Sequence, residues 1–531
     1  MTGRYGYVAA VLSLASFGVA GPALAQSEGT PVRGGTAILA LQGEPAGLNP
    51  VITSSTTERQ IGCIIHHGLV EPSSDLSRIL PVLAKSWTIS PDGKTYTFDL
   101  VHTTWHDGKP FTSEDVKYTV LEVATKMSPV FAPAGTNIAS IDTPAPDKVV
   151  FNLKDSFGPF LTALACEQGT GILPAHLFKG TDVKANPATT TAAVGTGAFK
   201  FAEWKHNEYV RLVRNPDYFQ PGKPYLDAVI GKVIPLPSSR IQALAANEVD
   251  TNPYYPLEQV QALRSNANLQ MHEMDLPPSM QVLFFNTKKK PFDDKRIRQA
   301  LMMATDRDYL FKTAFFEVGK VGVQPFPTQI PWAANSDIDY RKMYPFDMAK
   351  ANAALDAAGL KRGSDGKRFA TKIAIWSTLF PEFNQVSQAL KSMWGQVGVD
   401  VAIEALDTAT MGQRVYIDMD FDITMVGYSS YADPALGVAR TVAGASVGKL
   451  FGNPSGWSSA EVDKLLDQGS AATAFADRGV FYKKAQLIIA DELPMLTLRE
   501  YKNVEGSSKK LRGLWGRAES SGSWQDAWLE K

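Results

Sequence analysis

Ser86-Trp87-Thr88-Ile89-Ser90-Pro91-Asp92-Gly93-Lys94-Thr95-Tyr96-Thr97-Phe98-Asp99-Leu100, followed by Trp105-His106-Asp107-Gly108-Lys109-Pro110-Phe111-Thr112-Ser113-Glu114-Asp115-Val116, is the stretch that decides the fold. Pro91-Asp92-Gly93-Lys94 is turn chemistry: proline presets φ, aspartate bonds its own backbone, and glycine takes the positive φ. Tyr96, Phe98 and Leu100 then alternate with Thr95, Thr97 and Asp99, the period of a half-buried strand. Trp87 and Trp105 flank this hairpin and are expected to pack on it. Thr112 to Asp115 reads as a capping box that opens a helix from about Ser113 to Met127. None of these residues needs a ligand; they specify a scaffold.

The N-terminus supplies an address. Arg4 gives a thin positive region, Val8 to Ala20 is an apolar run short for a membrane span, and Ala23-Leu24-Ala25 is a small-x-small cleavage pattern. Residues 1–25 therefore read as a signal peptide, with the mature chain starting at Gln26. No cysteine follows that site, so no lipid anchor is expected, and the destination read is the periplasm. Removing residues 1–25 takes away one arginine and no acid, leaving 52 basic and 54 acidic side chains. So balanced a charge gives no reason to expect nucleic acid or an anionic membrane surface as partner. About 500 residues exceed one ordinary core, which predicts two or three lobes.

Elements alternate along the chain. Strands are expected at Thr36–Leu41, Lys148–Leu153, Tyr209–Arg214, Ala228–Pro235, Val399–Ala405, Asp422–Gly427 and, briefly, Pro494–Leu498. Helices are expected after an N-cap at Ser238-Ser239, from Asp293-Asp294, over Asp347–Gly359, Asn384–Val397, Ser459–Gln468 and Gly479–Glu492. The alternation argues for an α/β class with largely parallel sheets. The loop Thr181–Val194, the stretch Asp275-Leu276-Pro277-Pro278-Ser279 and the neighbourhood of Pro494 read as places where the chain passes between lobes. Cys63 and Cys166 each sit among apolar neighbours, and the reading preferred over a disulfide is two buried thiols.

Longer blocks carry a resemblance. Gly34-Gly35-Thr36, Gly43-Glu44-Pro45-Ala46-Gly47-Leu48-Asn49-Pro50, Gly195-Thr196-Gly197-Ala198-Phe199-Lys200-Phe201, Arg214-Asn215-Pro216-Asp217-Tyr218-Phe219, Gly222-Lys223-Pro224-Tyr225-Leu226-Asp227, Phe285-Asn286-Thr287 and Pro291-Phe292-Asp293-Asp294, with the opening hairpin, resemble the extracellular solute-binding proteins of ABC importers, family 5. That family includes oligopeptide, dipeptide and nickel receptors. The resemblance spans roughly residues 34–505. It implies an α/β fold of the periplasmic-binding-protein type II (cluster C): two lobes closing on a solute, plus an extra lobe. The lobes are expected at 26–69, 190–278 and 495–531 (lobe I, discontinuous), 70–189 (extra lobe) and 279–494 (lobe II).

The resemblance also points to ligand-binding residues: Glu44, Ser377, Tyr428, Ser429, Ser430, Tyr431 and Asp433. Tyr254, Tyr255 and Trp376 join them because clefts are rich in aromatics, the other reading being core or turn aromatics. Two of them mark a departure. Ser430 stands where the peptide receptors place the carboxylate that meets an α-ammonium, and Ser377 stands near where the dipeptide receptors place an arginine. A missing counter-ion predicts weak binding of simple di- and tripeptides, unless Asp433 or Glu44 meets the amine instead.

Two motifs point elsewhere. Gly444-Ala445-Ser446-Val447-Gly448 fits a nucleophile elbow, but glycines and a proline at 452–456 break the helix such an elbow needs. His66-His67 stands without further ligands at metal-binding spacing; on a helix one of the two would be buried and the other exposed. The expected protein is a monomeric periplasmic receptor with no catalytic residue, metal or cofactor. It would pass a peptide or peptide-like solute to the permease subunits of an ABC importer, and a non-peptide solute such as an opine, a glycoside or a metal complex is the alternative. A secreted serine hydrolase is the rival of another class.

Overall fold

Two strands that run side by side organise the molecule. Leu269–Phe285 spans 17 residues and Met495–Ser508 spans 14. They are antiparallel: Leu269 to Met274 pairs with Ser508 to Asn503, and Ser279 to Phe284 pairs with Tyr501 to Met495. The ladder shifts register between Met274 and Ser279, where Pro277 and Pro278 fall. Proline has no N–H to give a ladder, so an irregular step is where a strand tolerates it. The computed structural model describes residues 29–253, 256–377, 379–515 and 522–531. Pro31–Lys531 packs as one unit. The cleavage-site reading at 23–26 and the candidates Tyr254 and Tyr255 lie outside the described residues.

The two long strands sit in the middle of an eleven-stranded sheet. On one side follow Ile423–Ser429, Phe369–Ile375 and Val399–Ala405; on the other follow Thr251–Pro253, Thr36–Leu41, Ala228–Val233, Tyr209–Arg214 and Phe199–Lys205. The sheet is mixed. Thr36–Leu41 runs parallel to its neighbours, and Phe369–Ile375 does too, but both long strands pair antiparallel with every partner. The expected largely parallel sheet is thus corrected: two chain crossings between the halves place opposite strand directions at the centre.

Each half is covered on both faces. Along Met280–Phe285 alternate side chains enter opposite cores. Leu283 and Phe285 pack with Leu301, Leu390 and Trp394, whereas Val282 and Phe284 pack with Tyr482, Ala485 and Ile489. A strand buried on both faces reads as a nearly unbroken apolar run, and Val282-Leu283-Phe284-Phe285 does. In the other half, Leu39, Leu41 and Val229 pack with Ile61 and Ile64 of the helix Thr56–Ile65, while Ala40, Leu269 and Val504 pack with Leu244 and Val260.

The opening hairpin belongs to a separate four-stranded sheet, with Thr95–Leu100 between Ala84–Ile89 and Lys148–Leu153. Tyr96, Phe98 and Leu100 are fully buried, and Gly93 holds the turn at φ +71°. The helix runs from Ser113 through Met127 as expected, with a wider π turn over Thr119–Ala124. Asp115 accepts from the Thr112 N–H at 2.9 Å and also from the Trp105 indole at 3.3 Å, so the cap anchors the flanking tryptophan. This sheet touches the second half of the chain as well. The Gly158 N–H donates to the Ser470 carbonyl at 2.7 Å, and the Ser156 hydroxyl donates to Ala471. A Cβ on Gly158 would stand 2.0 Å from the Ala472 carbonyl, which is why only glycine fits.

Three further expectations are corrected. Cys63, on the helix Thr56–Ile65, and Cys166 form a disulfide rather than two thiols. The Leu69 N–H bonds to the Leu164 carbonyl, and this contact brings two cysteines 103 positions apart to a Cα separation of 5.9 Å. The helix read after Ser238-Ser239 starts at Pro237, because proline lacks the N–H that a first-turn position leaves unpaired anyway. The short strand read at Pro494–Leu498 continues through Ser508.

Candidate functional site

Where the two long strands cross between the halves, a cavity of about 740 Å³ opens. Ser279, Met280 and Gln281 face it from one strand, and Tyr501 and Asn503 from the other. Gly427, Tyr428 and Ser429 close one side at the end of their strand, together with Phe380, Glu382 and Gln385 at the start of the helix Phe383–Gln396. Pro256 and Glu258 face them from the other half, and Phe316 completes the lining. A Cβ on Gly427 would lie 2.4 Å from the Phe380 ring, so the glycine lets that ring lie flat against the strand.

Behind this wall lies one buried cation. Arg499 is fully enclosed, with Phe315 at 4.6 Å and Tyr501 at 4.9 Å from its guanidinium. Its Nε donates to Gln281 Oε1 at 3.1 Å, its Nη1 donates to the Val318 carbonyl at 3.2 Å, and its Nη2 pairs with Glu382 at 3.4 Å. Gln281 in turn donates to Glu382. Burial pulls the Arg499 pKa down to about 10, with Glu382 opposing, and pushes the Tyr501 hydroxyl up. Among the described lining residues two carboxylates, Glu258 and Glu382, face the cavity and no lysine, arginine or histidine does.

The candidate residues divide. Tyr428 and Ser429 are on the cavity wall. Ser430 is enclosed, its N–H on the Pro278 carbonyl at 2.7 Å. Trp376 is buried behind the wall, edge-on to Phe380, stacked on Phe451 and donating to Thr408 Oγ1 at 3.1 Å; Ser377 follows it, half-buried. Tyr431 lines a different cavity of about 290 Å³, opposite Phe131 and Gln168. Asp433 is fully buried, with its two oxygens on Arg478 at 2.5 and 2.7 Å. Glu44 accepts from the Trp204 indole, from His206 at 2.9 Å and from the Asn207 N–H at 3.1 Å, so it clamps the hairpin of Phe199–Lys205. Gln281, Glu382, Arg499, Tyr501 and Asn503 were missed. The signal lay in Thr497, Arg499, Tyr501 and Asn503 at period two, which charged neighbours disguised as the end of a strand.

The two distracting motifs resolve as scaffold. The helix before His66 ends at Ile65, so the pair is not helical, and both rings are buried rather than one. Burial, with His106 adding, drives the His66 pKa down to about 3, and His67 bonds the Tyr218 hydroxyl at 2.9 Å. No group of three metal-ligating side chains is found among the described residues. Gly444–Ser446 forms a tight 3₁₀ turn that follows another at Val438–Thr441, not the strand that a nucleophile elbow requires.

An α/β molecule whose halves share two continuous strands, with a ligand-sized cavity at the crossing, is a binding protein of the clamp class. The chain belongs to the bacterial extracellular solute-binding proteins, family 5, whose pattern matches residues 78–448. A Brucella ovis chain named among ABC transporter peptide-binding proteins is 30% identical over 476 residues, 86% of each chain. The periplasmic binding protein DppA of Helicobacter pylori, solved with the peptide STSA, is 26% identical with a TM-score of 0.73, covering 94% of this chain and 99% of its own. AgaA of A. tumefaciens R10, solved with agropinic acid, is also 26% identical, with a TM-score of 0.71 and coverage of 94% and 99%. The type II periplasmic-binding-protein fold is thereby established, and with it a receptor family rather than an enzyme family.

Proposed function

We propose that this chain is the receptor of an ABC importer that captures a peptide or peptide-like organic solute and hands it, unaltered, to the permease subunits in the membrane. In this reading it is exported by residues 1–25 and works as a free monomer in the periplasm. Lobe I comprises 26–69, 190–278 and 495–531, the extra lobe 70–189, and lobe II 279–494. The observation that carries the proposal is the cavity at the crossing of the strands Leu269–Phe285 and Met495–Ser508, walled from both halves of the chain. Its 740 Å³ is the size of sites that enclose a small organic molecule. Relatives and similar structures named for peptides support the class of solute.

The complex of AgaA with agropinic acid keeps an opine as the second reading. Calorimetry with trialanine, the tetrapeptide Ser-Thr-Ser-Ala and agropinic acid separates the two. Micromolar or tighter binding of a peptide, recovered intact by mass spectrometry after incubation, is expected. Binding of the opine with no heat from either peptide would overturn the peptide reading.

A further inference from the structure

Three segments meet where the four-stranded sheet joins the large one. They are the loop after Thr95–Leu100 that carries His106, the end of the helix Thr56–Ile65, and the turn Gly195–Gly197 that leads into Phe199–Lys205. The His106 ring is bonded to that turn at both nitrogens: Nδ1 accepts from the Gly195 N–H at 3.1 Å, and Nε2 faces the Gly197 carbonyl at 3.0 Å. A ring nitrogen that accepts holds no proton, so Nε2 carries the hydrogen, and the pair of bonds requires the neutral imidazole. The backbone repeats the tie. The His106 N–H donates to the Gly195 carbonyl at 2.9 Å, and the Gly197 N–H donates to the Ile65 carbonyl at 2.8 Å. A Cβ at Gly195 or Gly197 would run into the Ile65 or Ile64 carbonyl, so the turn is pressed against the helix end. There stands His66, fully buried, with neither ring nitrogen in hydrogen-bond geometry with a described residue; the Ile172 backbone approaches the ring without making a well-formed bond.

The surrounding charges do not invite a second proton on either ring. His66 faces His106. His106 has Lys200 on one side, whose Nζ donates to the His106 carbonyl at 3.3 Å, and Asp107 on the other. Asp107 is engaged by His176 at 2.7 Å, Lys200 by Asp217 at 3.7 Å, and His67 by the Tyr218 hydroxyl at 2.9 Å. Burial pulls the His106 pKa from 6.5 down to about 4 against the Gly197 bond, and burial with His106 beside it pulls His66 down to about 3. The closed joint thus binds fewer protons than an opened one between pH 6.5 and about 4, so its stability is full above that window and falls as the pH drops through it. We propose that this joint is an acid-operated latch: a proton on His106 Nδ1 turns the acceptor of the Gly195 N–H into a donor, the loop releases the turn, and water reaches His66. The disulfide Cys63–Cys166 lies beside the same joint, its Cys166 sulfur and the His66 Cβ both against Gly171, and it keeps the segments tethered while the latch is open. Among the described residues no histidine lines the 740 Å³ cavity, so the latch stands apart from the solute reading.

The test is hydrogen–deuterium exchange of the protein without solute, read by mass spectrometry from about pH 7.5 to about pH 5 and corrected for the intrinsic pH dependence of exchange. Protection of the segment 195–199 is expected to fall about tenfold for each pH unit below the ordinary histidine pKa, the slope for one proton taken up on opening, while the strand Leu269–Phe285 keeps its protection. H106Q, whose amide can donate and accept without titrating, should flatten that fall. H102N, at an exposed ring on the same loop, should leave it as in the wild type. Constant protection of 195–199 in the wild type overturns the proposal. So does a fall shared by Leu269–Phe285, which is global acid unfolding, or a fall of undiminished steepness in H106Q. Should H106Q not fold, the contrast between the two segments of the wild type decides alone.

Discussion

Asp433 shows how a carboxylate read as a ligand contact can belong to a buried ion pair. Its place before Pro434 suggested a carboxylate at the cleft, but Arg478, 45 positions later, folds over it and donates to both oxygens. The guanidinium is also held over Trp332 at 4.8 Å and Tyr482 at 5.7 Å, and the Asp433 Oδ1 accepts from the Ala435 N–H at 2.9 Å. Both side chains are fully enclosed. Breaking a buried pair from one side leaves an uncompensated charge, at a cost of about 3–5 kcal/mol. Asp433→Asn is therefore expected to lower stability by that order in guanidinium unfolding, with peptide affinity of the folded fraction unchanged. A variant of wild-type stability that had lost binding would return Asp433 to the cleft.

At the scale of elements, what could be read was what local chemistry writes. The hairpin around Gly93, the helix that Thr112 and Asp115 open, and the strand Val399–Ala405 follow from turn residues, caps and period two, and they stand where those signals put them. Pairing over distance was not legible. The strand Leu269–Phe285 passes through two prolines that read as a break, and Met495–Ser508 carries buried charges that read as solvent. Both define the site, so the site was only partly legible: Tyr428 and Ser429 were identified because a strand end is a local feature, and Gln281, Glu382 and Tyr501 were not. The disulfide was likewise a matter of contact, not of spacing. It ties the helix Thr56–Ile65 to the turn at Cys166 across 103 positions, a loop whose closure restrains the unfolded chain by an amount of order 2–5 kcal/mol. Replacing both cysteines by alanine should lower the unfolding free energy by that order, seen as a lower denaturant midpoint. An unchanged midpoint, in the presence and absence of reductant, would show that the bridge contributes nothing to stability.

For the molecule as a whole, one sheet with two covered halves and a cavity at their junction predicts a change of shape on binding. Small-angle scattering of the protein saturated with Ser-Thr-Ser-Ala should give a smaller radius of gyration than the free protein. A confirmed complex with an unaltered scattering curve would remove the clamp mechanism. Far from the cavity, the segment that follows the strand Lys148–Leu153 is bonded to the second half of the chain, where Ser156 and Gly158 donate to the carbonyls of Ala471 and Ser470. Leu76, before the same four-stranded sheet, packs there too, beside Met280 and Val282. Any motion that parted these segments would have to break those bonds, and a side chain at 158 would press on the Ala472 carbonyl before any solute arrived.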